Sequence, residues 1–112
     1  MTDDVRTRED LVRADGRQVT IHGRYEAIRK PIPGGAHIER PKDHATVVLT
    51  DGTVVFLEPL YADAATRPAE ELTRYEGAQV KARGNIYKIM PARGGSLIAP
   101  CLAEVQDVEE EL

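Results

Sequence analysis

Three observations predict a mainly β chain of five strands, with one helix between the third and fourth strands and a short N-terminal helix. Val-rich runs of period two fill residues 44–60, a lone helical segment follows at 67–77, and period-two patterning resumes at 78–89. The runs RQVTIHGRYEAI from residue 17 and SLIAPCLAEVQ from residue 96 supply the first and last strands. With 112 residues and 41% hydrophobic content, one domain with its own core is expected. The predicted divisions are a polar lead-in at 1–16, the strand region at 17–106 and an acidic C-terminal tail at 107–112.

In the lead-in, Thr7 suits an N-cap with Glu9 and Asp10 in the first turn, which predicts a short, frayed helix stopped by Gly16. The first strand then places Val19, Ile21, Gly23, Tyr25 and Ala27 on one face and Thr20, His22, Arg24 and Glu26 on the other. A glycine inside a strand needs a reason, and Gly23 stands where the first strand of a barrel bends to serve both halves of the sheet. Residues 30–43 hold three prolines and a Gly pair, which predicts a long loop.

Residues 45–50 alternate again, and Asp51-Gly52 reads as a two-residue hairpin turn leading into TVVFLEPL. Pro59 ends that strand. Thr66 is a candidate cap for the helix, Pro68 lies near its first turn, Leu72 and Tyr75 share its inner face, and Gly77 is its stop. The fourth strand places Val80, Ala82, Gly84 and Ile86 inward, with Lys81, Arg83 and Asn85 outward. A Gly-rich turn at 91–95 leads to a last strand at about 96–105. The expected core is Val19, Ile21, Val47, Leu49, Val54, Phe56, Val80 and Ile86.

This order of elements, over residues 17–105, resembles the five-stranded Greek-key barrel known as the OB-fold, whose helix lies between strands three and four. The resemblance implies that the loops joining strands one to two and four to five flank a face that carries oligonucleotides or oligosaccharides. Members of that superfamily include single-strand DNA-binding proteins, anticodon-binding domains, cold-shock proteins, toxin subunits and accessory interaction modules. The scaffold does not by itself fix the chemistry.

The net charge of −4 conceals a polarised chain. Residues 17–48 carry six basic and three acidic side chains, residues 78–100 carry four basic and none acidic, and the remainder carries five basic and sixteen acidic. The two loops lie within or beside the basic stretches. The expected ligand-binding residues are therefore Arg24, Tyr25, Arg29, Lys30, Arg40, Lys42, Lys81, Arg83, Tyr87, Lys88 and Arg93. A positive groove there would neutralise phosphates and release counterions, which points to single-stranded nucleic acid. Stacking rings are scarce, since there is no Trp and only one Phe and four Tyr; with Phe56 in the core, Tyr75 on the helix and Tyr61 in a linker, Tyr25 and Tyr87 remain. The alternative is a protein partner with an acidic surface, as for an adaptor, accessory subunit or inhibitor, with Ile32, Ile38 or Tyr25 as apolar anchors.

Catalysis finds little support. His22, His37 and His44 fall at no metal-ligand spacing, and neither Gly34-Gly35 nor Gly94-Gly95 has phosphate-loop spacing. His22 reads as a strand-surface residue, and Cys101 as a small buried hydrophobe without a disulfide partner. The expectation is a binding module with no enzymatic activity, cofactor or metal. No apolar run reaches the roughly 20 residues of a membrane span and the start is acidic, so a cytoplasmic location is expected.

Overall fold

The computed structural model describes residues 3–28, 44–58, 67–89 and 100–111. They form β1 (Asp3–Val5), α1 (Arg8–Arg13), β2 (Gln18–Ile28), β3 (His44–Val48), β4 (Val54–Leu57), α2 (Ala69–Tyr75), β5 (Gln79–Tyr87) and β6 (Cys101–Glu110). The sheet order is β2-β3-β4-β6-β5, and the pairing of β5 with β2 closes a five-stranded barrel. All its pairings are antiparallel except β4 with β6. The mainly β fold class and the helix between the third and fourth barrel strands agree with the sequence reading.

Strand β2 holds the barrel together because it is long enough to serve two neighbours. Its residues 18–24 pair with β5 and residues 24–28 pair with β3. The strand turns at Gly23, where an added Cβ would collide with the Val48 carbonyl and come within 2.8 Å of Val47 Cγ1. Only a residue without a side chain permits this approach of two backbones. Gly84 on β5 has a parallel role, since a Cβ there would lie 2.7 Å from the Ala103 carbonyl at the irregularity where β6 bends.

The core contains Val19, Ile21, Tyr25, Val47, Leu49, Val80, Ala82 and Ile86 in the expected phase, together with Leu57, Leu72, Tyr75 and Leu102. On β4 the expected phase is off by one. Val55 and Leu57 point inward, whereas Val54 is 41% exposed and Phe56 is half-buried on the outside. The reason is the hairpin. The Leu49 amide donates to the Thr53 carbonyl and the Gly52 amide to the Leu49 carbonyl, with Gly52 at φ 88°. The turn therefore has three residues, Thr50, Asp51 and Gly52, the last in the left-handed region, and not the two predicted. One extra residue moves Val55 opposite Val47 and turns every side chain of β4 over.

The N-terminal segment is not frayed. β1 runs parallel to β2, with Val5 opposite Ile21, and Val5, Leu11 and Ala14 are buried in the core. Thr7 caps α1, accepting from the Asp10 amide at 3.3 Å. The Asp51 carboxylate ties the first turn of α1 to the hairpin by accepting the Arg8 amide at 2.8 Å. Burying a side chain the size of Leu11 is worth about 1.5–3 kcal/mol, which gives this segment a reason to stay docked.

The last strand also differs from expectation, extending to Glu110 where a tail was expected from residue 107. Val108, opposite Ala82, packs on the core, while Asp107 and Glu109 stand opposite Arg83 and Lys81. Each pair cancels charges that would otherwise repel along the strand.

Candidate binding face

Register places five side chains from five strands in one lateral row on the outside of the barrel. Glu26 on β2 stands opposite Thr46 on β3, Thr46 opposite Phe56 on β4, Phe56 opposite Cys101 on β6, and Cys101 opposite Tyr87 on β5. At about 4.8 Å per strand, Thr46 to Tyr87 spans roughly 14 Å. Thr46 and Cys101 are buried, Phe56 and Tyr87 half-buried, and the buried His44 ring lies 5.3 Å from that of Phe56. The next row holds Arg24, Val48 and Val54. Of these side chains Val48, Val54, Phe56 and Tyr87 are the apolar or aromatic ones that reach the surface. Ile28 and His44, the described residues on either side of 29–43, pair with each other at one end of β2 and β3.

The expected basic groove takes a different form in space. Lys81 Nζ lies 3.6 Å from Glu109 Oε2, and Arg83 Nη2 lies 2.6 Å from Asp107 Oδ2. Arg24 reaches Glu26 at 3.4 Å. Three of the expected phosphate contacts are thus ion-paired within the chain, two of them with the stretch read as a tail. Lys88 is exposed, and Tyr87 belongs to the outer row. Arg29, Lys30, Arg40, Lys42 and Arg93, together with Ile32, Ile38 and His37, lie outside the described residues.

Tyr25 is a correction. Expected as an exposed ring, it is 0% exposed, because β2 alternation directs it inward with Ile21. Its hydroxyl donates to Glu71 Oε2 at 2.7 Å, and Arg67 grips the same carboxylate through Nε at 2.7 Å and Nη2 at 2.8 Å. Burial pushes the Tyr25 phenol up, and the Glu71 charge adds to that. For Glu71, burial alone would raise the carboxyl, but the hydrogen bonds from Arg67 and Tyr25 outweigh it and hold the group below its ordinary value. This network attaches α2 to β2 and serves the fold.

His22 is also placed differently from its reading as a surface residue. It lies on the outside of β2 but is 7% exposed, with Nε2 2.9 Å from Asp4 Oδ1 and Nδ1 against Glu111 Oε2. The hydrogen bond to His22 holds the Asp4 carboxyl below its ordinary value. His22 and Asp4, with Thr20, Lys81, Arg83, Asp107 and Glu109, line a cleft of about 250 Å³. The two carboxylates approach opposite edges of the ring, so the three groups do not converge on one ion. No described group of three or more His, Cys, Asp or Glu side chains is arranged to hold a metal.

Cys101 is the one thiol in the outer row, and burial, assisted by the charge of Glu58, pushes it up to about 12. A thiol so far from ionisation at neutral pH is inert. Sequence reasoning missed Val54 and Phe56 as outward residues. The signal that could have found them is the glycine in third place of Thr50-Asp51-Gly52, which suits a three-residue turn.

Fold and surface together define a closed five-stranded β-barrel whose outer face carries the exposed Val54 and the half-buried Val48, Phe56 and Tyr87, with Thr46 and Cys101 buried between them. No protein-family model, curated protein or solved structure matches this chain. Among the described residues, no helix is long and apolar enough to cross a membrane.

Proposed function

We propose that the protein is a non-enzymatic binding module of the OB type that engages a protein partner through the outer face of β3, β4 and β6. The strand order, with its parallel contact between the third and fifth barrel strands, supports the OB assignment. The observation that carries the choice of partner is the set Val48, Val54, Phe56 and Tyr87, side chains turned outward on one face, while Arg24, Lys81 and Arg83 are ion-paired within the chain. Such a face gains affinity by burying apolar area, whereas phosphate binding needs uncompensated positive charge.

A second reading, single-stranded nucleic acid, is favoured by one observation: Phe56 and Tyr87 lie two strands apart on one face, about 10 Å, where two bases can stack. The basic residues 29, 30, 40, 42 and 93 then supply the phosphate contacts. Titration with single-stranded DNA and RNA at two salt concentrations separates the readings. The protein reading expects no retention at low salt. Retention that weakens steeply with salt would replace it with the nucleic-acid reading.

A further inference from the structure

The edge of β6 turned away from β5 has no strand partner among the described residues beyond Leu102. β4 pairs with β6 only at Cys101 and Leu102, whereas β5 follows it as far as Glu110. Glu58 ends the β4 contact. It adopts φ 74°, and its carboxylate takes the amides of Glu104 at 3.0 Å and Val105 at 2.7 Å, where β6 bends. The Glu111 amide donates to the Gln79 carbonyl at 2.8 Å in the same register as the β5–β6 ladder. Residues 107, 109 and 111 therefore turn their backbone groups to β5, and Val108 and Glu110 turn theirs away. No described backbone group pairs with these outward donors and acceptors. The side chains of this stretch are all of one sign, with Glu104, Asp107, Glu109, Glu110 and Glu111 and no base from 101 to 111.

We propose that the edge of β6 at residues 106–110 binds an extended basic peptide by strand addition. The outward amides and carbonyls supply a backbone ladder open to any sequence, and the carboxylates select lysine and arginine. Asp107, Glu109 and Glu111 already have partners in Arg83, Lys81 and His22, so the selectivity comes mainly from the exposed Glu104 and Glu110. A second copy of the chain is a poor occupant, because two such edges would set carboxylates against carboxylates.

The test is titration of the whole protein with an end-blocked peptide of alternating lysine and threonine, and with its glutamate–threonine counterpart, followed by amide NMR and hydrogen exchange. The basic peptide is expected to shift amides centred on 106–110 and to slow exchange at Val108 and Glu110. Glu110→Pro removes an outward donor without touching a β5 bond and should weaken binding roughly tenfold. Glu110→Gln keeps the donor and should weaken it less. Equal affinity for both peptides, shifts centred elsewhere, or wild-type binding by Glu110→Pro would overturn the proposal. Should Glu110→Pro not fold, the exchange rates at Val108 and Glu110 in the wild-type protein decide alone. Val54→Asp should bind the peptide normally; loss there would move the peptide to the β3–β4 face, overturning the edge site while leaving the outer-face reading standing.

Discussion

Tyr25 and Glu71 are 46 positions apart in sequence and joined by a 2.7 Å hydrogen bond that fastens α2 to the longest barrel strand. The acceptor is a charged carboxylate shared with Arg67 in a half-buried setting. Tyr25→Phe keeps the ring and its contact with Tyr75, at 5.9 Å between centroids, and removes only the bond. The expected loss is about 1.5–3 kcal/mol in urea unfolding. A loss below about 0.5 kcal/mol would mean that Arg67 alone satisfies Glu71.

The same carboxylate sets a pH dependence. Glu71 and Asp4 are both held below their ordinary values of 4.5 and 3.8, so each contributes stability that is complete above those values and is lost as pH falls through the lowered ones. The urea midpoint should fall as the pH drops below 4.5, the ordinary value of Glu71. Glu71→Gln should be less stable than wild type near neutrality and should lose less on acidification. Parallel curves for the two proteins would assign the acid loss to other groups.

The phase of β4 is tested by a pair of neighbours. Val55→Ala empties core volume and should cost about 2 kcal/mol, while Val54→Ala on the outer face should change stability by less than about 0.5 kcal/mol. The reverse ranking would restore the two-residue turn. Phe56→Ala, which would cost about 3–5 kcal/mol for a fully packed ring, should cost clearly less.

Gly23 and Gly52 separate two reasons for a glycine. At Gly52 an added Cβ meets nothing within 4 Å, so Gly52→Ala pays only for φ 88°, about 1–2 kcal/mol. Gly23→Ala drives a methyl into the Val48 carbonyl and should be the more damaging of the two. Thermal unfolding of both variants side by side gives the ranking, and equal losses would refute the close approach of β2 and β3.

Much of the barrel was legible because alternation along β2, β3 and β5 states its phase directly, and because Gly23 announces the bend. What was illegible depended on partners distant in sequence. The segment DVEEEL looks like a solvated tail until Arg83 and Lys81 stand opposite Asp107 and Glu109. His22 looks like a surface residue until β1 brings Asp4 beside it and the C-terminal end brings Glu111. The isolated apolar residues Val5, Leu11 and Ala14 show no periodicity, yet each finds a place in the core. The candidate face was half legible: Tyr87 was identified, but Val54 and Phe56 were hidden by one residue of turn length.

Binding through the outer face of β3, β4 and β6 is best tested by affinity capture from the source cells with tagged wild-type protein and Val54→Asp, quantified by mass spectrometry after both are shown to fold. The expected result is a partner retained by the wild type, lost from Val54→Asp, and still retained by the Lys81→Ala/Arg83→Ala double variant. The same set of proteins on wild type and Val54→Asp, with loss confined to the double variant, would contradict the apolar face and return the site to the basic strand.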